Sequence, residues 1–136
     1  MKRNKFILDV NVWVSFILGK QLAWLTKIVQ SNKIELVSCA ELYNELKEVL
    51  SRPKFEKYIS QTDIKEALIL HSKLTKQVKN IKIVSAFADS DDDYLLALAL
   101  KAKAIFIVTG DKLLLNTPVP ESISIITLTQ FNSIVL

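Results

Sequence analysis

Acidic residues stand at the ends of the apolar runs that this chain is expected to fold into strands. Asp9 directly follows the run 6–8, and Asp111 follows the run 104–108 after only Thr109 and Gly110. An acid is costly inside a core unless a partner compensates it. The carboxyl ends of parallel strands also form the ligand crevice of an open sheet. Each aspartate is therefore either a cap at a strand end or one wall of a site.

Two other places in the chain offer acids for the same edge. Segment 89–93 contains four aspartates and precedes the apolar segment 94–100, which predicts a buried helix. Helix capping contributes about 0.5–2 kcal/mol and explains one or two of these aspartates, but four repel one another without a cation or a basic partner. Glu45 lies at the edge of the apolar stripe of another predicted helix, from which it can point towards the sheet edge.

Carboxylates gathered in this way predict a divalent cation. Four of them within a few ångströms cannot all ionise without a counter-charge. Oxygen ligands select Mg²⁺ or Mn²⁺, whereas one histidine, His71, and one cysteine, Cys39, disfavour a zinc site. Such ions activate water and stabilise displacement at phosphorus, so the expected reaction is hydrolysis of a phosphodiester.

The elements that must position these acids alternate along the chain. Strands are expected at 6–8, 34–38, 81–84, 104–108 and 124–127. Helices are expected at 12–18, 22–29, 38–50, 62–78 and 94–100, followed by a terminal helix that Thr129 caps. Ser38 and Glu41 form a Ser-x-x-Glu pattern that predicts a capping box. The alternation predicts an α/β three-layer sandwich with a central, mostly parallel sheet flanked by helices.

Composition sets the class of protein. The 136 residues, half of them hydrophobic, predict one domain, 1–136, with a sizeable core. The single cysteine excludes an internal disulfide. The apolar run after the basic N-terminus is too short for a secretory signal, and no apolar stretch could span a bilayer. We therefore expect a soluble, cytoplasmic protein with no membrane partner. Its net charge of +4 suits a polyanionic partner.

Four motifs, taken in order, resemble the PIN domain family. They are Asp9-x-Asn11, segment 45–55, segment 89–99 and the Val-Thr-Gly-Asp of 108–111. More narrowly, they are similar to the toxins of toxin–antitoxin pairs, and the resemblance covers nearly the whole chain. It implies a PIN-like fold and a metal-dependent endoribonuclease that cleaves single-stranded RNA. It also implies a homodimer that a small antitoxin protein silences.

The resemblance implies roles for individual residues. Asp9, Glu45, Asp92 and Asp111 match the family's acidic quartet, which would hold Mg²⁺ or Mn²⁺ and carry out catalysis. Asp93 remains open as an alternative to Asp92. The polar residues that support the first and last acids are matched by Asn11 and Thr109.

This chain departs from the family pattern in two places. Leu113 stands where a second acid usually follows the Gly-Asp, which leaves the number of metal ions, one or two, open. The usual glycine before the last core strand is missing from 101–104, which contains two lysines instead.

Two other classes of function remain. The same fold could be a catalytically weak module that binds RNA or protein. A phosphoacceptor domain of the receiver type also groups acids, a threonine and a lysine at a sheet edge. That design needs an acidic pair directly after the first strand, where this chain has a single acid.

Overall fold

In the part of the chain that the structure describes, a five-stranded sheet with all strands parallel forms the centre of the molecule. The computed structural model describes residues 3–83 and 92–136. The strands are β1 (Asn4–Leu8), β2 (Ile34–Ser38), β3 (Thr75–Gln77), β4 (Phe106–Val108) and β5 (Ser124–Ile126), in the order β3-β2-β1-β4-β5. The middle strands are buried because helices cover the sheet on both faces, which explains why their sequences are continuous apolar runs rather than alternating ones.

Within residues 3–83 and 92–136, seven α-helices and one short 3₁₀ helix surround the sheet. They are α1 (Val10–Leu18), α2 (Leu22–Gln30), α3 (Ala40–Leu50), the 3₁₀ helix Pro53–Phe55, α4 (Gln61–Leu74), α5 (Asp93–Ala102), α6 (Lys112–Leu115) and α7 (Leu128–Val135). The apolar stripe predicted for α3 is buried throughout, at Leu42, Leu46, Val49 and Leu50. The predicted three-layer α/β fold is therefore confirmed.

The order of the strands places a crevice beside β1. From β1 the chain continues to β2 and β3 on one side, and then crosses to β4 and β5 on the other. Ligands of open parallel sheets bind at such a reversal, outside the carboxyl ends of the strands. Leu8 pairs with Val108 at this point, and the Asp9 N–H donates to the Val108 carbonyl oxygen at 2.9 Å. Asp9 and Thr109 consequently leave the sheet side by side.

The third strand lies earlier in the chain than the sequence predicts. The helix expected to continue through Val78 ends at Leu74, and Thr75–Gln77 forms the edge strand β3. Thr75 pairs with Leu36 of β2, and its hydroxyl donates to the His71 carbonyl oxygen at 2.8 Å. The strand predicted at 81–84 is wrong for residues 81–83, which are in no strand, and Val84 lies outside the described residues.

Two predicted helix caps are also wrong. Ser38 is the last residue of β2, and its hydroxyl lies 3.1 Å from Nε2 of His71, so it does not cap α3. Cys39 occupies the cap position of α3 and makes no side-chain capping bond. Thr127, rather than Thr129, caps α7, in a capping box with Gln130.

Within the part of the chain that is described, no single helix is long and apolar enough to cross a membrane. The two helices α1 and α2 meet that criterion only as a pair, across a bend of 115°.

Candidate active site

Asp9 is a buried carboxylate held by two hydrogen bonds. It is the N-cap of α1, and its Oδ1 accepts from the Val10 backbone N–H at 2.7 Å. Oδ2 accepts from the Thr109 hydroxyl at 2.8 Å. Only 4% of the residue is exposed. Burial raises the pKa of Asp9, and the charge of Asp111 raises it further, while the two hydrogen bonds oppose this shift.

Thr109 connects the two strand-end aspartates. Its hydroxyl donates to Asp9 and accepts from the Asp111 backbone N–H at 3.1 Å, in the interior of the protein. Asp111 is half-buried and caps α6, where its Oδ1 accepts from the Leu113 N–H at 2.9 Å. The hydroxyl of Thr109 therefore fixes the first acid and the backbone of the last one together.

Glu45 reaches the same edge through a tyrosine. Its Oε2 accepts from the hydroxyl of Tyr94 at 2.8 Å. Tyr94 is 5% exposed, whereas Glu45 is half-buried on α3. Burial raises the pKa of Tyr94, and the negative charges of Glu45 and then Asp9 raise it further. The charge of Asp9 thus also acts on the phenol that donates to Glu45.

Asp92 and Asp93 stand at the start of α5. The chain leaves the far end of α5 to enter β4, so the beginning of this helix lies towards the carboxyl edge of the sheet. Asp92 is the half-buried N-cap residue and makes no side-chain capping bond, and Asp93 is 6% exposed. Capping therefore does not account for Asp92. Of the alternatives left open by the sequence, Asp93 is the more buried one.

The other predicted site residues differ in how they are placed. Asn11 is exposed in the first turn of α1, where its carbonyl oxygen accepts from the Ser15 hydroxyl. The first part of the aspartate run, 89–91, lies outside the described residues. The described structure thus joins Asp9, Thr109 and Asp111 by hydrogen bonds, and a separate hydrogen bond joins Glu45 to Tyr94 at the start of α5.

The chemistry of these donors fits a hard divalent cation. They are carboxylate oxygens, with neither histidine nor thiolate among them, and a cation would offset the charge of buried Asp9 beside Asp111. Their spacing is looser than that of a formed site. Among residues 3–83 and 92–136, no group of three or more histidine, cysteine, aspartate or glutamate side chains is arranged to hold a metal ion.

Sequence reasoning missed the role of one residue in this region. Tyr94 was expected only to pack, as the first residue of an apolar helix. A buried tyrosine hydroxyl usually needs a polar partner, and an acid run directly before the helix indicates that such partners are near. A tyrosine that directly follows a run of acids was therefore the sequence feature that could have indicated this contact.

A model of a known protein family matches this chain. It is described as PIN domain, and the match covers residues 5–113. No curated protein sequence matches the chain.

Two solved structures share the fold. One is a chain in the crystal structure of VapBC2 from Rickettsia felis bound to a promoter DNA fragment, with 13% identity and a TM-score of 0.58, over 90% of this chain and 98% of that one. The other is PAE2754 from Pyrobaculum aerophilum, with 13% identity and a TM-score of 0.60, over 96% of this chain and 89% of that one.

Proposed function

Because the chain belongs to the PIN domain family, a family of nucleases, we propose that it is a metal-dependent endoribonuclease that cleaves single-stranded RNA. The observation that carries this proposal is the Asp9–Thr109–Asp111 connection at the point where the strand order reverses. Two strand ends are used there to hold acids close together, at an electrostatic cost that a cation would offset.

The residues of the chain have distinct tasks in this reaction. Asp9, Asp111 and either Asp92 or Asp93 would hold Mg²⁺ or Mn²⁺, and Glu45 would complete the site or position the attacking water. When bound, the ion lowers the pKa of a water molecule and stabilises the charge that develops at phosphorus. Thr109 keeps the Asp9 carboxylate in one orientation, and Asn11 supports the same acid from the first turn of α1.

We further propose that the protein is the toxin of a toxin–antitoxin pair. In this proposal it is a cytoplasmic homodimer that a small antitoxin protein silences. The motifs shared with that group and the fold shared with a VapBC2 chain support it. The net charge of +4 is consistent with a nucleic-acid substrate.

The test is cleavage of single-stranded RNA by wild type and Asp9→Asn with Mg²⁺ or Mn²⁺. Asparagine keeps the size of the side chain and an oxygen for Thr109, but it removes the charge. We expect a loss of cleavage of at least about 100-fold in a folded protein. The matched control is Glu56→Gln, an exposed neutralised acid, which should cleave like wild type. Equal cleavage by Asp9→Asn would contradict the assignment.

A binding module of the same fold is the second candidate. The observation that favours it is that three potential ligands are not arranged around one point within 3–83 and 92–136. Calorimetric titration with Mn²⁺ separates the two candidates. A nuclease should bind the ion through Asp9 and give a saturable heat signal. A module that acts only by binding RNA or protein should give no saturable heat signal with Mn²⁺.

A further inference from the structure

A tyrosine hydroxyl holds one acid of the candidate site. Tyr94 lies in the first turn of α5 and donates to Glu45 of α3 at 2.8 Å, across 49 residues of sequence. Tyr94 is 5% exposed, so its ring is fixed by the core and its hydroxyl has a defined position. Donation from a neutral group to a carboxylate is among the stronger hydrogen bonds in proteins.

Glu45 needs such a partner more than the aspartates do. Asp9 and Asp111 are short side chains, each fixed by a backbone N–H as well as by the geometry of a strand end. Glu45 has a longer side chain on a half-buried helix face, and ordering a glutamate costs side-chain entropy. A rigid donor reduces the number of orientations that its carboxylate can take.

The same turn of α5 also contains an acid. Asp93 directly precedes Tyr94 and is buried, and the phenol is close enough to Asp9 for the charge of Asp9 to act on it. The start of α5 is thus placed to bring one acid to the sheet edge and to orient a second one from α3.

We propose that Tyr94 is a positioning residue, whose hydroxyl orients the Glu45 carboxylate for the cleavage reaction. This inference rests on the proposed nuclease function. It assigns no proton transfer to Tyr94. The hydroxyl acts through Glu45, so its effect should disappear when Glu45 no longer carries a charge to orient.

The experiment compares wild type, Tyr94→Phe, Glu45→Gln and the double variant in two assays, RNA cleavage and Mn²⁺ calorimetry. Phenylalanine keeps the buried ring and removes only the hydroxyl. Loss of a group that orients a ligand typically costs 10–100-fold in metal affinity or activity. We expect Tyr94→Phe to lower kcat about 10- to 100-fold, with KM for RNA unchanged, and to weaken Mn²⁺ binding. The double variant should be no worse than Glu45→Gln.

Two controls keep the result specific. Tyr43→Phe removes a hydroxyl from the helix that carries Glu45, where the Tyr43 ring lies 6.0 Å from that of His71, and should behave like wild type. Glu45→Asp keeps the charge but shortens the side chain, so it should lose about as much activity as Tyr94→Phe. If Tyr94→Phe does not fold, Glu45→Asp takes its place in the comparison.

The outcomes separate this inference from the function on which it rests. If Asp9→Asn is inactive while Tyr94→Phe and Glu45→Asp match wild type, the nuclease stands and the role of Tyr94 is wrong. The role is equally wrong if Tyr94→Phe lowers activity by the same factor in the Glu45→Gln background. If wild type neither cleaves RNA nor binds Mn²⁺, the proposed function and this inference both fall.

Discussion

At the scale of single residues, Asp9 combines a cost in stability with a gain in chemistry. Burial is the largest influence on its carboxyl and raises the pKa, so the charged form is disfavoured in the folded protein. Two hydrogen bonds offset part of this cost without removing it. A carboxylate retained under these conditions is typical of functional sites, where stability is given up for reactivity.

We therefore expect Asp9→Asn to be more stable than wild type at neutral pH. The expected increase in the free energy of unfolding is roughly 1 kcal/mol. Since the pKa of Asp9 is raised in the folded state, its contribution to stability is present at low pH. That contribution is lost as pH rises from the ordinary value of 3.8 through the folded pKa. Urea unfolding between pH 3 and 7 should show the advantage of the variant growing with pH. A variant clearly less stable than wild type at pH 7 would contradict this account.

His71 contributes to stability in the opposite pH direction. It is fully buried between Ser38 and the edge of Trp13, whose ring centre lies 4.6 Å away. Burial lowers the pKa of His71 from 6.5 to about 4, so the neutral ring is part of the fold.

The contribution of neutral His71 to the free energy of unfolding should be fully present above pH 6.5 and should be lost as pH falls towards 4. Integrated over that window, the loss in free energy of unfolding is about 3 kcal/mol. The measurement is urea unfolding of wild type and His71→Gln at several pH values. The variant should be less stable at pH 7 but should lack this part of the acid dependence. The same decline in both proteins would show that other groups cause it.

At the scale of elements, the turn between α5 and β4 is strained where this chain lacks a glycine. Lys103 ends α5 in the left-handed conformation, with φ 58° and ψ 41°. That conformation costs a non-glycine residue about 1–2 kcal/mol, and glycine is the usual residue at such a helix end. The departure noted in 101–104 thus has a structural consequence at one defined residue.

Lys103→Gly should raise the free energy of unfolding by about 1 kcal/mol. Lys101→Gly is the matched control, because it makes the same substitution inside the last turn of α5. It should lower stability by about 1 kcal/mol. Thermal unfolding of the two variants measures both effects. If the two substitutions changed stability in the same direction, the strain assigned to Lys103 would be wrong.

Elements whose structure follows from their own sequence pattern could be predicted from the sequence. Elements whose structure depends on residues far away in the chain could not. The apolar stripe of α3 and the apolar run of β2 specify their structure locally. The bounds of β2 agree with the prediction, whereas α3 ends at the predicted Leu50 but begins at Ala40 instead of Ser38. Residues 75–78 continue the spacing of α4, yet pairing with Leu36 makes Thr75–Gln77 a strand. Ser38 matches a capping box, but its hydroxyl forms a hydrogen bond with the ring of His71, 33 residues away in the chain.

The candidate site shows the same division. The strand-end acids Asp9 and Asp111 could be predicted because acids after apolar runs are rare and costly. Thr109 came from the resemblance, and the structure adds that its single hydroxyl serves both acids. The contact between Tyr94 and Glu45 depends on how α3 and α5 approach each other, which no local pattern encodes.

At the scale of the whole molecule, the strand order explains why distant acids meet. The reversal beside β1 brings the end of the first strand next to the end of the fourth, 100 residues later in the chain. The observed order, β3-β2-β1-β4-β5, differs from the 2-1-3-4-5 order of flavodoxin-like folds. Together with the single acid after β1, this argues against the phosphoacceptor alternative.

The proposed nuclease function requires that these acids bind a divalent cation at the reversal of the sheet. The most direct measurement is a crystal structure grown with Mn²⁺ and recorded at the manganese absorption edge. We predict an anomalous peak between the carboxylates of Asp9 and Asp111, within coordination distance of their oxygens. A peak elsewhere, or none beside Asp9 at saturating Mn²⁺, would contradict the claim.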